Sequence, residues 1–152
     1  MADISKPITI LMADDSEDDR FLAREALRES RVLNDLHEVE DGEELMDYLH
    51  RRGRYADAAT SPRPGFILLD LNMPRQSGGE ALAEIKAAPS LRRIPVVVLT
   101  TSKDEADVLK SYDLGVSSFI TKPVSFEALV DVMKTIGKYW IEIVSIPTEN
   151  ME

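Results

Sequence analysis

Apolar positions along this chain follow two rhythms. ITILMA at 8–13, FILLD at 66–70 and VVVLT at 96–100 are apolar nearly throughout, the pattern of strands covered on both faces. Weaker runs at 36–40 and 118–121 complete five predicted strands. Between them, apolar residues recur at helical spacing, predicting helices over 17–31, 43–51, 79–87, 105–114 and about 125–143. In the last of these, Phe126, Leu129, Val130, Met133, Ile136 and Trp140 form one stripe. Five β-α units in a row predict an α/β protein, a parallel sheet doubly wound with helices on both faces. Right-handed crossovers then bring the carboxyl ends of all five strands to one edge.

Two segments are not needed by that plan. GRYADAATSPRPG, 53–65, is rich in Ala, Pro and Gly and predicts a long surface loop. The ending IEIVSIPTENME is apolar as far as Pro147 and polar afterwards. With no internal repeat and no interdomain linker, the chain reads as one domain over 1–143 and a tail over 144–152. Tyr139, Ile141, Ile143, Val144 and Ile146 cannot all face the sheet together with Trp140 on one helix. Surplus apolar residues at a terminus are expected to be buried against a second chain. A homodimer is therefore expected, with Tyr139, Trp140, Ile143, Val144, Ile146 and Pro147 in its contact. The competing arrangement is a tail folded over its own domain.

Composition narrows the chemistry. The chain has 152 residues, 43% apolar and 30% charged, which is ordinary for a globular domain. A net charge of -10 disfavours a nucleic-acid binder, which needs clustered Lys and Arg. No run is long enough for a membrane span and the N-terminus lacks a signal-peptide layout, so a cytoplasmic protein is expected. The absence of Cys excludes disulfides, thiolate metal sites and cysteine nucleophiles.

Polar residues at the strand ends point to one reaction. The first strand runs directly into Asp14-Asp15 and the third ends in Asp70. If those strands are neighbours, three carboxylates meet at the edge where open parallel sheets bind ligands. Such a cluster calls for a cation, and oxygen-only ligands with open positions suit Mg²⁺. Taken alone, Asp14-Asp15 could instead cap the helix that follows, and Asp70 could be a turn residue. The fourth strand ends in Thr100 and the fifth is followed by Lys122, so a hydroxyl and an amine reach the same edge. The set fits a carboxylate that accepts a phosphoryl group, with Asp70 as nucleophile on phosphorus. Lys122 and Thr100 would contact the phosphoryl oxygens, and the backbone carbonyl of Asn72 would complete the metal shell. His37 and His50 lack metal spacing and read as surface residues, and Arg51, Arg52 and Arg54 as a solvated helix end.

ILMADDSEDD, EVEDGEEL, FILLDLNMPRQSGGE, PVVVLTTS and SFITKP, in this order and spacing, resemble the receiver domain of two-component response regulators. The resemblance covers nearly all of 8–143. It implies a flavodoxin-like strand order, 2-1-3-4-5, with five helices. It further implies Asp14 and Asp15 as metal-site acids, Asp70 as phosphoacceptor, Thr100 as switch hydroxyl, Lys122 as the lysine and Phe119 as switch aromatic. The phosphodonor would be a sensor histidine kinase. The loop before Phe66 and the ending YWIEIVSIP look like the single-domain receivers paired with bacterial phytochrome kinases, which implies a light-regulated donor. No effector motif follows the receiver, so output is expected by protein contact or by phosphorelay to a histidine phosphotransfer protein. The competing enzyme class is a Mg²⁺-dependent phosphohydrolase working through an aspartyl phosphate. Such enzymes commonly carry a second Asp two residues after the nucleophile, where this chain has Asn72. A phosphorylation-independent scaffold is disfavoured by the complete polar set, and a flavin carrier by acids in the first β-α turn.

Overall fold

A computed structural model describes residues 8–31, 34–71, 73, 75–100, 118–123 and 125–139. The strands are β1 (Ile8–Ala13), β2 (Asn34–Val39), β3 (Phe66–Asp70), β4 (Val96–Thr100) and β5 (Ser118–Thr121). Four helices are described: α1 (Glu17–Glu29), α2 (Gly42–Leu49), α3 (Gly78–Ala87) and the C-terminal α4 (Phe126–Tyr139). The strands pair in parallel in the order β2-β1-β3-β4-β5. This is the flavodoxin-like α/β plan, with every carboxyl end on one edge.

Side chains alternate across the sheet and divide the core in two. Leu11, Ala13, Ile67, Leu69, Val96 and Val98 face one way and pack against Leu45, Met46 and Leu49 of α2 and Leu82 and Ile85 of α3. Ile10, Met12, Phe66, Leu68, Val97 and Leu99 face the other, against Ala23, Ala26 and Leu27 of α1 and Val130, Met133 and Ile136 of α4. All five residues of β3, including Asp70, are buried. A strand with partners on both sides and helices on both faces has no room for an alternating pattern, which explains FILLD.

Several boundaries differ from the sequence expectation, most in β2, α1 and α2, while α2 and α3 each start one residue early. β2 starts at Asn34 and stops at Val39, instead of spanning 36–40, because it pairs residue for residue with β1 from Ile8↔Asn34 to Ala13↔Val39. Asn34 and Asp35 enter the edge strand through its backbone register with β1, so no apolar signal marks them. α1 and α2 end at Glu29 and Leu49, each two residues before the expected stop. Arg31 and Arg51 there adopt left-handed backbone, with φ of 62° and 57°, and break the helical path. The expected helix over 105–114 lies outside the described residues, as do Trp140, Ile143, Val144, Ile146 and Pro147 of the expected dimer contact. Among the described residues no helix is long and apolar enough to cross a membrane.

The segment 53–65 is less superficial than its composition implies. It opens with a 3-10 turn, Gly53–Tyr55, and Ser61 and Pro64 are buried. The Gly65 amide donates to the Thr9 carbonyl at 2.7 Å, and the Tyr48 hydroxyl to the Pro62 carbonyl at 2.8 Å. Burial, followed by the nearby Asp35 charge, pushes the Tyr48 hydroxyl up to about 12, so it remains a donor throughout the neutral range. Tyr48→Phe keeps the ring and removes the tie. We expect it to cost about 1 kcal/mol in urea denaturation, with faster proteolysis within 53–65. Unchanged stability and proteolysis would show that the loop is held without this bond.

Candidate functional site

β1 and β3 are adjacent, with Ala13 opposite Leu69, so the residues that leave these strands emerge side by side. Carboxylate oxygens of Asp14, Asp15 and Asp70 lie within 4.8 Å of one another. Asp14 is 1% exposed and Asp70 6%, whereas Asp15 faces solvent. Asp14 is fixed through its backbone and its side chain. Its amide donates to the Val39 carbonyl at 3.1 Å, and its carbonyl accepts from Arg20 Nη1 at 2.7 Å. Its Oδ1 accepts from the Ser16 amide at 3.0 Å. Capping does not account for these aspartates, because Ser16 is the N-cap of α1, its hydroxyl accepting from the Asp19 amide at 3.1 Å.

Lys122 follows β5 and reaches across the edge. Its Nζ stands 2.8 Å from Asp14 Oδ2, 2.9 Å from Asp19 Oδ2 and 3.6 Å from Asp70 Oδ1. Burial opposes the charge on this ammonium, but the hydrogen bonds to Asp14 and Asp19 and the charges of Asp14 and Asp70 outweigh it. The amine is held above the ordinary lysine range. Asp14, Asp19 and Asp70 thus share one ammonium, while Asp15, the third acid of the cluster, is exposed to solvent. All donors are oxygens and solvent reaches one side, which fits a hard divalent cation that keeps part of its water shell.

Two glycines shape the loop after Asp70. A Cβ at Gly78 would overlap the Asp70 carbonyl, and one at Gly42 would overlap the Gln76 backbone. The first turns of α2 and α3 therefore press directly on the β3–α3 connection. Ser77 and Glu80 close a reciprocal capping box that starts α3 there. Asn72 lies outside the described residues. In the backbone register Asp70 pairs with Leu99, so Thr100 follows one position on, and Phe119 pairs with Val98. The side chains of Thr100 and Phe119 are outside the described residues. His37 is half-buried, not superficial, 3.1 Å from Asp35 and with its ring centroid 5.8 Å from that of Tyr48. His50 is exposed and faces Glu84 at 3.3 Å. Arg52 pairs with Asp47 and Arg54 with Glu44, so these arginines serve α2.

Asp19 and Arg20 were not among the residues expected at this site. Arg20 is 8% exposed; besides the Asp14 carbonyl, it bonds Glu38 at 3.2 Å and Glu40 at 3.4 Å. Its signal in the sequence was an arginine on the same helical face as Ala23 and Leu27, where an apolar residue belongs. Arg20→Met retains the stem and leaves Glu38 and the Asp14 carbonyl short of a donor. A loss of about 2 kcal/mol in denaturant is expected, together with weaker divalent-ion binding. Native ion affinity in this variant would show that Arg20 does not hold the acid loop.

A doubly wound sheet with this edge defines the receiver class of two-component signalling. Residues 10–134 match the family described as response regulator receiver domain, and the chain belongs to that family. It is a response regulator, a signalling protein of a family that pairs with sensor histidine kinases. It is 44% identical to response regulator Rcp1 of Synechocystis sp. over 148 residues, 97% of this chain and 99% of Rcp1. Its structure is similar to that of the phosphorylated cyanobacterial phytochrome response regulator RcpA, with 45% identity and a TM-score of 0.79 over 89% of this chain and 94% of that one. It is also similar to the Mn(2+)-bound form of Rcp1, with 44% identity and a TM-score of 0.78 over 91% and 97%.

Proposed function

We propose that this protein is a stand-alone response regulator that accepts a phosphoryl group on Asp70 from a sensor histidine kinase. Asp14, Asp15, Asp70 and the Asn72 carbonyl would hold Mg²⁺. The gathering of three carboxylates within 4.8 Å beside Lys122 carries this reading. A carboxylate oxygen of Asp70 attacks phosphorus, and the bond from phosphorus to the donor's imidazole nitrogen breaks, its electron pair staying on nitrogen. Bound Mg²⁺ supplies positive charge that offsets the phosphoryl oxygens as they near the carboxylates. Lys122 leaves its carboxylate partners for a phosphoryl oxygen, and the Thr100 hydroxyl donates to another. Water later attacks phosphorus, releasing phosphate and restoring the Asp70 carboxylate, so the signal limits itself.

Phosphorylation brings roughly -1.5 to -2 charges to one strand end. Thr100 moves toward them and the Phe119 ring takes the space it leaves, which reshapes the surface near β5 and α4. A shift from 1:99 to 99:1 needs about 5.5 kcal/mol of preference for the active state. The likeness to Rcp1 and RcpA, the second a phytochrome response regulator, supports a light-regulated phytochrome kinase as donor. Output would pass by contact or through a histidine phosphotransfer protein in the cytoplasm. A fifth helix over 105–114 would complete the receiver over 1–143. Tyr139, Trp140, Ile143, Val144, Ile146 and Pro147 would join two copies, with 144–152 as the arm. The decisive experiment incubates the protein with Mg²⁺ and acetyl phosphate and follows its intact mass. A single phosphoryl group that decays supports the reading; sustained turnover of donor would indicate a hydrolase.

A further inference from the structure

Lys122 bonds an acid that neither the metal seat nor the phosphoacceptor needs. Its ammonium has three protons to donate, and it stands 2.8 Å from Asp14 Oδ2 and 2.9 Å from Asp19 Oδ2. Asp70 Oδ1 is the third carboxylate in reach but lies at 3.6 Å, beyond a good hydrogen bond. Asp19 belongs to the first turn of α1, outside the cluster of Asp14, Asp15 and Asp70. The ammonium is thus shared between Asp14 and the helix acid, with Asp70 the most distant of the three. A cavity of about 50 Å³ lies alongside, with Asp14, Asp19, Leu22, Leu99, Lys122 and Leu129 among its lining residues.

We propose that Asp19 is a positioning residue that holds the Lys122 ammonium to one side and so keeps the seat between Asp14 and Asp70 open to a divalent cation. The inference rests on the reading of Asp14, Asp15 and Asp70 as that seat. Without Asp19 the next carboxylate for the ammonium is Asp70. An ammonium bonded to both Asp14 and Asp70 occupies the place a shared cation must take, and the two compete directly. The Asp19 side chain is 42% exposed against 1% for Asp14, so its hold on Lys122 is the weaker one. It can be released when a phosphoryl oxygen arrives on Asp70, while Asp14 remains in the cation's shell.

Asp19→Asn tests this with Asp18→Asn as control. Asp18 is an exposed acid in the same helical turn, and its replacement removes an equal charge. Neither change touches the cap, since Ser16 receives the backbone amide of Asp19. In a metal-free crystal structure of D19N, Lys122 Nζ should come within hydrogen-bond distance of Asp70. An ammonium that stays at its native distance overturns the proposal. In calorimetric titration with Mg²⁺, D19N should bind about three- to fivefold more weakly than native protein, the range open to a half-exposed ion pair. D18N should bind nearly as the native protein does. Equal weakening in both variants would reduce Asp19 to general charge and overturn the proposal. Native protein that binds no Mg²⁺ would sink the cation-seat reading instead, and the D19N structure would still decide where Lys122 goes.

Discussion

Asp70→Asn should take up no phosphoryl group from acetyl phosphate and Mg²⁺ under conditions where the native chain gains one. The amide matches the carboxylate in shape but offers no anionic oxygen to attack phosphorus. The expected loss in rate is roughly 10⁴-fold or more, the scale on which removing a nucleophile acts. Unfolding does not confound the experiment. Asp70 ends a fully buried strand, yet the substitution removes a negative charge from a site where three carboxylates crowd within 4.8 Å. D70N should therefore be at least as stable as the native protein in chelator, as urea denaturation will check. Phosphoryl incorporation at the native rate in folded D70N would move the acceptor to another residue and overturn the assignment.

Lys122→Met should be the most destabilising single change at this edge. The ammonium bonds Asp14, which is 1% exposed, and sits 3.6 Å from Asp70, which is also buried. Removing one member of a buried ion pair leaves an uncompensated charge and costs about 3 kcal/mol or more. The loss should show in full with chelator present. Saturating Mg²⁺ should narrow the gap between variant and native protein, because a cation bound only to the folded state adds about 2.7 kcal/mol at a hundred times its dissociation constant. The pH dependence has a definite sign. A lysine whose pKa is raised by folding contributes stability that is whole below its unfolded value and fades only as pH rises through the folded one. The difference between native protein and K122M should thus hold level from neutral to mildly alkaline pH. A variant as stable as native protein in chelator would mean that the carboxylates do not depend on this amine.

Much of the fold could be read directly from local pattern. β1, β3 and β4 occupy the spans their apolar runs predicted, because a strand enclosed on both faces excludes polar residues and so marks its own ends; β5, at the sheet's edge, also lies where its weaker run predicted. Asp14, Asp15, Asp70 and Lys122 were conspicuous as charged residues just where the apolar runs stop. β2 escaped this logic because an edge strand tolerates polar residues such as Asn34 and Asp35. The segment 53–65 escaped it because no periodicity announces the burial of Ser61 and Pro64 or the bond from Tyr48 to Pro62 between them.

The sequence by itself determined the class of fold and the types of group at one edge, since both follow from how completely each short stretch is covered. Only the tertiary structure decided which groups meet. Lys122 is 103 residues from Asp19 and 108 from Asp14, and they touch because strand order places the end of β5 opposite the start of α1. Arg20 reaches Glu38 and Glu40 because β2 lies at that flank of β1. Periodicity records that a side chain is buried, whereas the register and packing of distant segments choose its partner.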